Sequence, residues 1–77
     1  MDVYEQARGL LNAVIAAYSS RISTAPDPQT TQSLRAERAP IMTERDALSA
    51  DDRDRIAEII STGPDRLAAV RRSAADE

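Results

Sequence analysis

The side chains of this 77-residue chain that can carry chemistry are carboxylates, arginines and hydroxyls, because it contains no histidine, cysteine or lysine. Without histidine, no unperturbed side chain titrates near neutral pH, and without cysteine there is neither a thiolate nucleophile nor a disulfide. The absence of lysine excludes Schiff-base chemistry and a phosphate-loop lysine. These absences remove most classes of enzyme. We predict a protein that is not an enzyme and that uses no cofactor.

Four carboxylates cluster within eight residues, at Asp51, Asp52, Asp54 and Glu58. Carboxylate oxygens are the ligands that Mg²⁺ and Ca²⁺ prefer. However, no glycine-bearing calcium loop accompanies them, and acidic side chains are favoured in the first turn of a helix by the helix dipole. We therefore interpret the cluster as the charged start of a helix and predict no metal site.

Arg38 and Arg45 lie seven residues apart, on the seam of a predicted helix whose apolar positions are Leu34, Ile41 and Leu48. Two guanidinium groups at this spacing can clamp a carboxylate or a phosphate, because the arginine fork matches planar acids. Alternatively, their stems cover apolar surface while the charges stay in water, and we favour this second interpretation. Both arginines are candidate partner-binding residues.

The richest apolar strip of the chain is formed by Tyr4, Leu11, Ile15 and Tyr18 in the first predicted helix. The ordinary explanation is a core face that the other helices cover. The alternative is an interface in which the two tyrosines act as amphipathic anchors. The sequence leaves both open, so the four residues are candidate partner-binding residues and a homodimer through helix 1 is a candidate assembly.

The spacing of apolar residues is helical throughout, with no alternating strand pattern. Helix 1 is predicted over residues 2–23. Asp27 followed by Pro28 is typical of an N-cap and a first helical position, and predicts helix 2 over residues 28–48. Because Pro40 removes a hydrogen bond and clashes with the carbonyl four residues earlier, a kink is expected near residues 36–39.

The last part of the chain is predicted to form two shorter helices. Ser49 and Asp52 have the spacing of a capping box, which predicts helix 3 over residues 50–61. Gly63-Pro64 is expected to break the chain before helix 4 at residues 64–73, with a frayed tail at 74–77. The predicted fold is therefore all-α, a small single-domain bundle of three to four helices.

Residues 59–72 resemble a degenerate helix-hairpin-helix, a small DNA-binding element of repair proteins. In that family a glycine-containing turn joins two helices, and its backbone amides bind a DNA phosphate. The residues that fit the second half of the pattern are Gly63, Pro64, Leu67, Ala68 and Arg71. The resemblance implies nucleic-acid contacts from Gly63, Arg66, Arg71 and Arg72. The ordinary interpretation is a Gly-Pro break between two helices.

Charge and hydropathy favour a cytoplasmic protein that does not bind nucleic acid. The net charge is −3 and the ten arginines are interspersed with acids, so we predict no nucleic-acid partner. The longest apolar run, residues 13–18, is far shorter than the roughly 20 residues that cross a membrane. Asp2 and Glu5 occupy the place where a secretory signal is basic. A composition rich in arginine and alanine and without lysine suggests a source with a GC-rich genome.

The function predicted from these features is that of a small acidic protein–protein interaction module. It would act as a regulator, inhibitor or accessory subunit by burying a helix face on another protein, whose identity the sequence leaves open. One alternative is a DNA-contacting regulator that uses residues 59–72. Another is a self-assembling structural helical unit.

Overall fold

The computed structural model describes the backbone of residues 2–75 and the side chains of residues 2–72. It contains three helices, α1 (Val3–Ser23), α2 (Pro28–Ala47) and α3 (Arg53–Ala75), and the described range contains no strand. The prediction of an all-α fold is confirmed. Of the predicted frayed tail, residues 74 and 75 belong to α3, while residues 76 and 77 lie outside the described range.

The first two helices begin at carboxylate N-caps. Asp2 accepts a hydrogen bond from the backbone N–H of Tyr4 at 3.0 Å. Asp27 accepts one from the N–H of Thr30 at 2.7 Å, and Pro28 occupies the first position of α2, where a missing N–H costs nothing. Each cap satisfies a helix N–H that has no partner inside the helix.

The turn before α3 uses the predicted pair Ser49 and Asp52, but the helix begins later than expected. The Ser49 N–H donates to Oδ2 of Asp52 at 3.1 Å, and the Asp52 carbonyl accepts the N–H of Ile56 at 2.8 Å. Asp52 therefore stands at the N-cap position. The first helical residue is Arg53 rather than residue 50.

The predicted break at Gly63-Pro64 is wrong, because α3 is one continuous helix through both residues. A proline inside a helix typically costs about 3 kcal/mol. Burial of apolar side chains on both sides of it, such as Ile59 and Val70, offsets this cost. The Pro64 ring itself is exposed, so no neighbouring helix obstructs it. Two short predicted helices are thus one long helix.

Helix α2 also continues through its proline. Pro40 is exposed and lies between the buried residues Leu34 and Ile41 of an unbroken helix. The chain therefore accommodates the lost hydrogen bond on the solvent side. The kink expected near residues 36–39 stays a prediction.

Helix α1 is the central element and packs against both other helices. Against α2 it runs antiparallel, as two hydrogen bonds show. Arg38 Nη1 donates to Ser19 Oγ at 2.9 Å, and Arg45 Nη1 donates to Asn12 Oδ1 at 3.1 Å. Moving seven residues toward the C-terminus of α2 therefore corresponds to moving seven residues toward the N-terminus of α1.

Against α3, helix α1 runs parallel. Gly63 lies against Leu10, and Val70 lines the same surface hollow as Ala17. Both pairs have the same offset along the chain, so the two helices keep one register over two turns. The helices therefore run alternately in opposite directions, as expected when short connections join successive helices of a bundle.

The core lies along α1 and is small. Three side chains are almost fully buried, Leu11, Val14 and Ile59. The buried cluster contains Ala7, Leu11, Val14, Ile15, Ile41, Leu48, Ile56, Ile59 and Val70. Within the described residues no charged or polar side chain is fully buried, so hydrophobic burial rather than buried ion pairing holds the helices together.

Candidate interaction surface

The apolar strip of helix 1 belongs to the core. Leu11 is fully buried and Ile15 is 9% exposed, and both belong to the buried cluster. Tyr4 and Tyr18 are half-buried and pack at the edge of that cluster. Both residues therefore lie in the core of the isolated chain, which is the first of the two interpretations that the sequence left open. A partner-binding role for the four residues of the strip stays a prediction.

Tyr18 lies where charged side chains from all three helices converge. Partial burial raises the pKa of its hydroxyl, and Glu37 of α2 raises it further. Arg21 of α1 and Arg66 of α3 act in the opposite direction. The pKa of Tyr18 is therefore influenced by charged side chains of all three helices.

The seam arginines each donate a hydrogen bond to α1. Arg38 donates to Ser19 Oγ, which in turn donates to the Ile15 carbonyl at 3.0 Å. Arg45 donates from Nη1 to Asn12 and from Nε to Asp46 Oδ1 at 3.0 Å. Neither sequence interpretation anticipated these bonds, because the partners lie 19 and 33 residues away.

Glu44 connects α2 and α3, a role that no local sequence pattern indicates. Its two carboxylate oxygens accept from Nη1 and Nη2 of Arg66, both at 3.2 Å, and Arg55 Nη2 lies 3.7 Å from Oε2. The Glu44 side chain is 15% exposed. A two-pronged pair of this kind fixes orientation as well as distance. The guanidinium of Arg66 is therefore paired with Glu44 within the fold.

Residues 59–72 do not form the hairpin that the resemblance implies, because they are one stretch of helix. Gly63 is buried and has no positive φ; a Cβ there would lie 3.0 Å from Leu10 Cδ1 and 3.1 Å from Leu10 Cβ. This glycine therefore permits close approach of two helices and cannot present its amide to a phosphate. Arg71 and Arg72 are exposed on α3.

The acidic cluster serves the start of α3. Asp52 stands at the N-cap position, where its carbonyl accepts the N–H of Ile56 and its carboxylate accepts that of Ser49, and Glu58 lies 3.9 Å from Arg55. Among the described residues, no three carboxylates are placed to hold one metal ion. The residues instead line an open hollow that they share with Arg53 and Arg55.

The surface between α1 and α3, on the side away from α2, forms a shallow trough that we call the outer groove. One end is a hollow of about 540 Å³, lined by Val3, Ala50, Arg53, Ile56, Ala57, Ile60 and Ser61. The other end is a hollow of about 500 Å³, lined by Ala13, Ala16, Ala17, Ser20, Arg21, Val70 and Arg71. Half-buried Leu10 and Leu67 lie between the two ends in sequence. The groove is therefore predominantly apolar.

Among the described lining residues of the outer groove, the charged ones are Arg53 at one end and Arg21 and Arg71 at the other. Arg53 also lines the neighbouring hollow of the acidic cluster, with Asp51, Asp52 and Asp54, so this end of the groove has charges of both signs close by. The groove was not evident from the sequence because its walls come from two helices that are distant along the chain; Ala17 and Val70, for example, lie 53 positions apart.

None of the three helices has the apolar length needed to cross a membrane within the described range. Comparison of the chain with models of known protein families, with curated protein sequences and with solved structures gave no match. The class that the fold defines is a three-helix all-α protein.

Proposed function

We propose that this protein is a protein–protein interaction module, which regulates, inhibits or completes a partner protein by covering part of its surface. The observation that carries this proposal is the outer groove, whose two apolar hollows lie along the same pair of helices. Val3, at one end of it, is 56% exposed and is a large hydrophobic side chain outside the core. Apolar surface rimmed by polar groups is typical of protein-binding sites.

The groove replaces the strip of helix 1 as the proposed contact surface. Helix α1 still contributes, but with the side that faces away from α2, on which Ala13 and Ala16 lie. Small side chains there let another backbone approach closely. A helix placed in the groove would complete a four-helix arrangement, which is the ordinary way for a helical face to be covered.

Site-specific photo-crosslinking in the source cell tests this proposal. A benzophenone amino acid replaces Ala57 in the groove or, as a matched control, Ala36 on α2; both are exposed alanines inside a helix. We expect position 57 to crosslink a discrete protein that position 36 does not. Equal crosslinking from both positions, or none from position 57, contradicts the proposal.

A further inference from the structure

We propose that α2 is a strap, fastened by Glu44, which detaches from the pair of α1 and α3 as a unit and uncovers the side of α1 on which Ile15 lies. Helices α1 and α3 stay packed together while the strap is open. The strap and the outer groove lie on opposite sides of this pair, so the device is separate from the proposed function.

The buried apolar side chains are shared unequally among the helices. Of the buried cluster, four members come from α1 and three from the described part of α3, whereas Ile41 is the one member that lies within α2. Leu34 of α2 is also buried but is not part of that cluster, and Leu48 belongs to it from the connection that follows α2. Because a region that buries few apolar side chains opens at a lower free energy than the rest of a fold, α2 is the helix expected to open first.

Side chains rather than close backbones connect α2 to α3. Within the described residues, no Cα atom of α2 lies within 8 Å of a Cα atom of α3. The two helices are bridged by Glu44, which accepts two hydrogen bonds from Arg66 and lies 3.7 Å from Arg55. Water replaces a partly exposed polar contact of this kind at modest net cost. The bridge therefore fastens the strap without locking it.

Polar contacts also hold α2 on α1, and one of them is incomplete. Arg38 donates from Nη1 to Ser19, but its Nε is buried and has no hydrogen-bond partner among the described residues. A buried N–H without a partner destabilises the closed state, because it bonds to water once the helix detaches. Pro40 lacks the N–H of one intrahelical hydrogen bond, which further weakens α2.

The contacts of α2 identify the side of α1 that the strap covers. Asn12, Ile15 and Ser19 lie within about 60° of one another around α1, since each residue of a helix advances by about 100°. Asn12 and Ser19 both accept hydrogen bonds from α2, so the buried side chain of Ile15 lies on the side of α1 that faces the strap. Val14, by contrast, follows Leu10 by four residues, on the side that packs against Gly63 of α3.

Native-state hydrogen exchange of the wild-type protein, followed by NMR, tests whether α2 opens separately. We expect the slowest amides of α2 to exchange at least tenfold faster than the slowest amides of α1 and α3, after correction for intrinsic rates. Low concentrations of denaturant should accelerate α2 less steeply, because a local opening exposes less surface than global unfolding. Equal protection of the three helices would overturn the proposal, since the fold would then open only as a whole.

Removal of one methylene group on either side of α1 provides a matched pair of variants. Ile41→Val weakens the contact that the strap breaks, so it should accelerate exchange in α2 severalfold. Ile56→Val, in the wall of the outer groove, weakens a contact that persists while the strap is open. It should therefore accelerate exchange in α1 and α3 and leave α2 unchanged. Acceleration of α2 by both variants alike would overturn the proposal.

A second matched pair tests the role of Glu44. Glu44→Gln removes the bridge between α2 and α3, whereas Glu58→Gln removes a pair with Arg55 inside α3. The first substitution should accelerate exchange in α2 severalfold, and the second should leave α2 unchanged. Equal effects of the two substitutions on α2 would overturn the assignment of Glu44 as the fastening residue.

Thiol labelling tests which side of α1 the opening uncovers. The chain has no cysteine, so a single introduced thiol is a unique probe. We expect Ile15→Cys to react at least tenfold faster than the global unfolding equilibrium of that variant allows, and Val14→Cys to react only at the rate set by its own global unfolding. Urea denaturation of each variant supplies that reference. Labelling of Ile15→Cys at the global rate would overturn the proposal, because α2 would then not uncover this side of α1.

Discussion

At the scale of single residues, two ionisable side chains report on the fold. The carboxylate of Asp27 caps α2, and the hydrogen bond from the backbone N–H of Thr30 holds its pKa below the ordinary value of 3.8. The hydroxyl of Tyr18 shows the opposite behaviour, because burial raises its pKa above the ordinary value of 10.0. Each shift connects the stability of the fold to a different range of pH.

The Asp27 cap predicts a loss of stability in acid. Because the folded pKa is below the unfolded one, the carboxylate stabilises the fold above about pH 4, and this contribution disappears as the pH falls through the folded value. Asp27→Asn keeps an N-cap that does not titrate, so its melting temperature should fall less steeply in acid than that of the wild type. Thermal unfolding followed by circular dichroism measures this. Asp65→Asn, on the exposed surface of α3, is the control; an identical acid dependence for the Asp27 variant and the wild type would contradict the assignment.

Tyr18 predicts a loss of stability in alkali. Since its folded pKa is raised, the folded state holds the proton more tightly, and the contribution of Tyr18 is complete below about pH 10 and is lost as the pH rises through the folded value. In a Tyr4→Phe background, Tyr18 is the remaining phenol, and its ultraviolet titration should have a midpoint above 10.0. The midpoint should return toward 10 in denaturant. A native midpoint at or below 10 would show that Tyr18 is not desolvated.

At the scale of elements, the contact between α1 and α3 depends on a glycine. Gly63 has no side chain to separate the helices, and the space that a Cβ would need is occupied by Leu10. Gly9, by contrast, is exposed in α1, with nothing within 4 Å of an added Cβ. The chain therefore contains two helical glycines in opposite environments.

This pair of glycines makes a matched test of helix packing. Gly9→Ala should stabilise the protein by about 0.5–1 kcal/mol, because alanine is the better helix former and meets no neighbour. Gly63→Ala has the same helical advantage but presses on Leu10, so it should be at least about 1 kcal/mol less stable than Gly9→Ala. Urea denaturation measures both values. Equal stabilisation by the two substitutions would exclude a close approach of α1 and α3 at Gly63.

The two internal prolines show why the length of a helix is hard to predict from local signals. Pro64 follows a glycine, and that pair ordinarily ends a helix. In the folded protein the pair lies within a helix whose buried residues, Ile59 before it and Val70 after it, occupy one stripe against α1. The free energy gained when the parts of α3 before and after Pro64 are both buried against α1 exceeds the free-energy cost of a proline inside a helix.

At the scale of the whole molecule, the core is narrow and each large side chain in it matters. A chain of this size obtains about 3–5 kcal/mol from its core. Leu11→Ala should cost about 2–5 kcal/mol, because Leu11 is fully buried at the centre of the cluster. Leu11→Met, which conserves volume, should cost less than about 1.5 kcal/mol. Denaturant unfolding separates the two; a loss well below 1 kcal/mol for the alanine variant would place Leu11 outside the core.

The charge of the molecule predicts weak, non-specific binding to DNA. Phosphate contacts dominate affinity for DNA, and the net charge of −3 opposes them. Arg66 is also engaged by Glu44, which leaves Arg71 and Arg72 as the arginines of residues 59–72 without a described partner. A fluorescence-anisotropy titration with duplex DNA should show no tight complex at physiological salt. Tight binding with a steep salt dependence, abolished by Arg71→Ala with Arg72→Ala, would reverse this conclusion.

The sequence by itself determined the helical class and the local signals at which helices start. Apolar spacing and the cap residue Asp27 act within one or two turns, so they can be recognised without knowledge of the fold. The pair Ser49 and Asp52 was recognised for the same reason, although the helix it precedes begins at Arg53.

Only the tertiary structure decided which apolar residues form the core, that Gly63 allows α1 and α3 to approach closely, and which residues the arginines bind. Leu11 is buried against the other helices, and Glu44 pairs with an arginine 22 residues away. Such contacts depend on which helix faces lie together, and periodicity within one helix does not specify its neighbour. The outer groove follows from the same cause, since α1 and α3 form it only when they pack side by side in register.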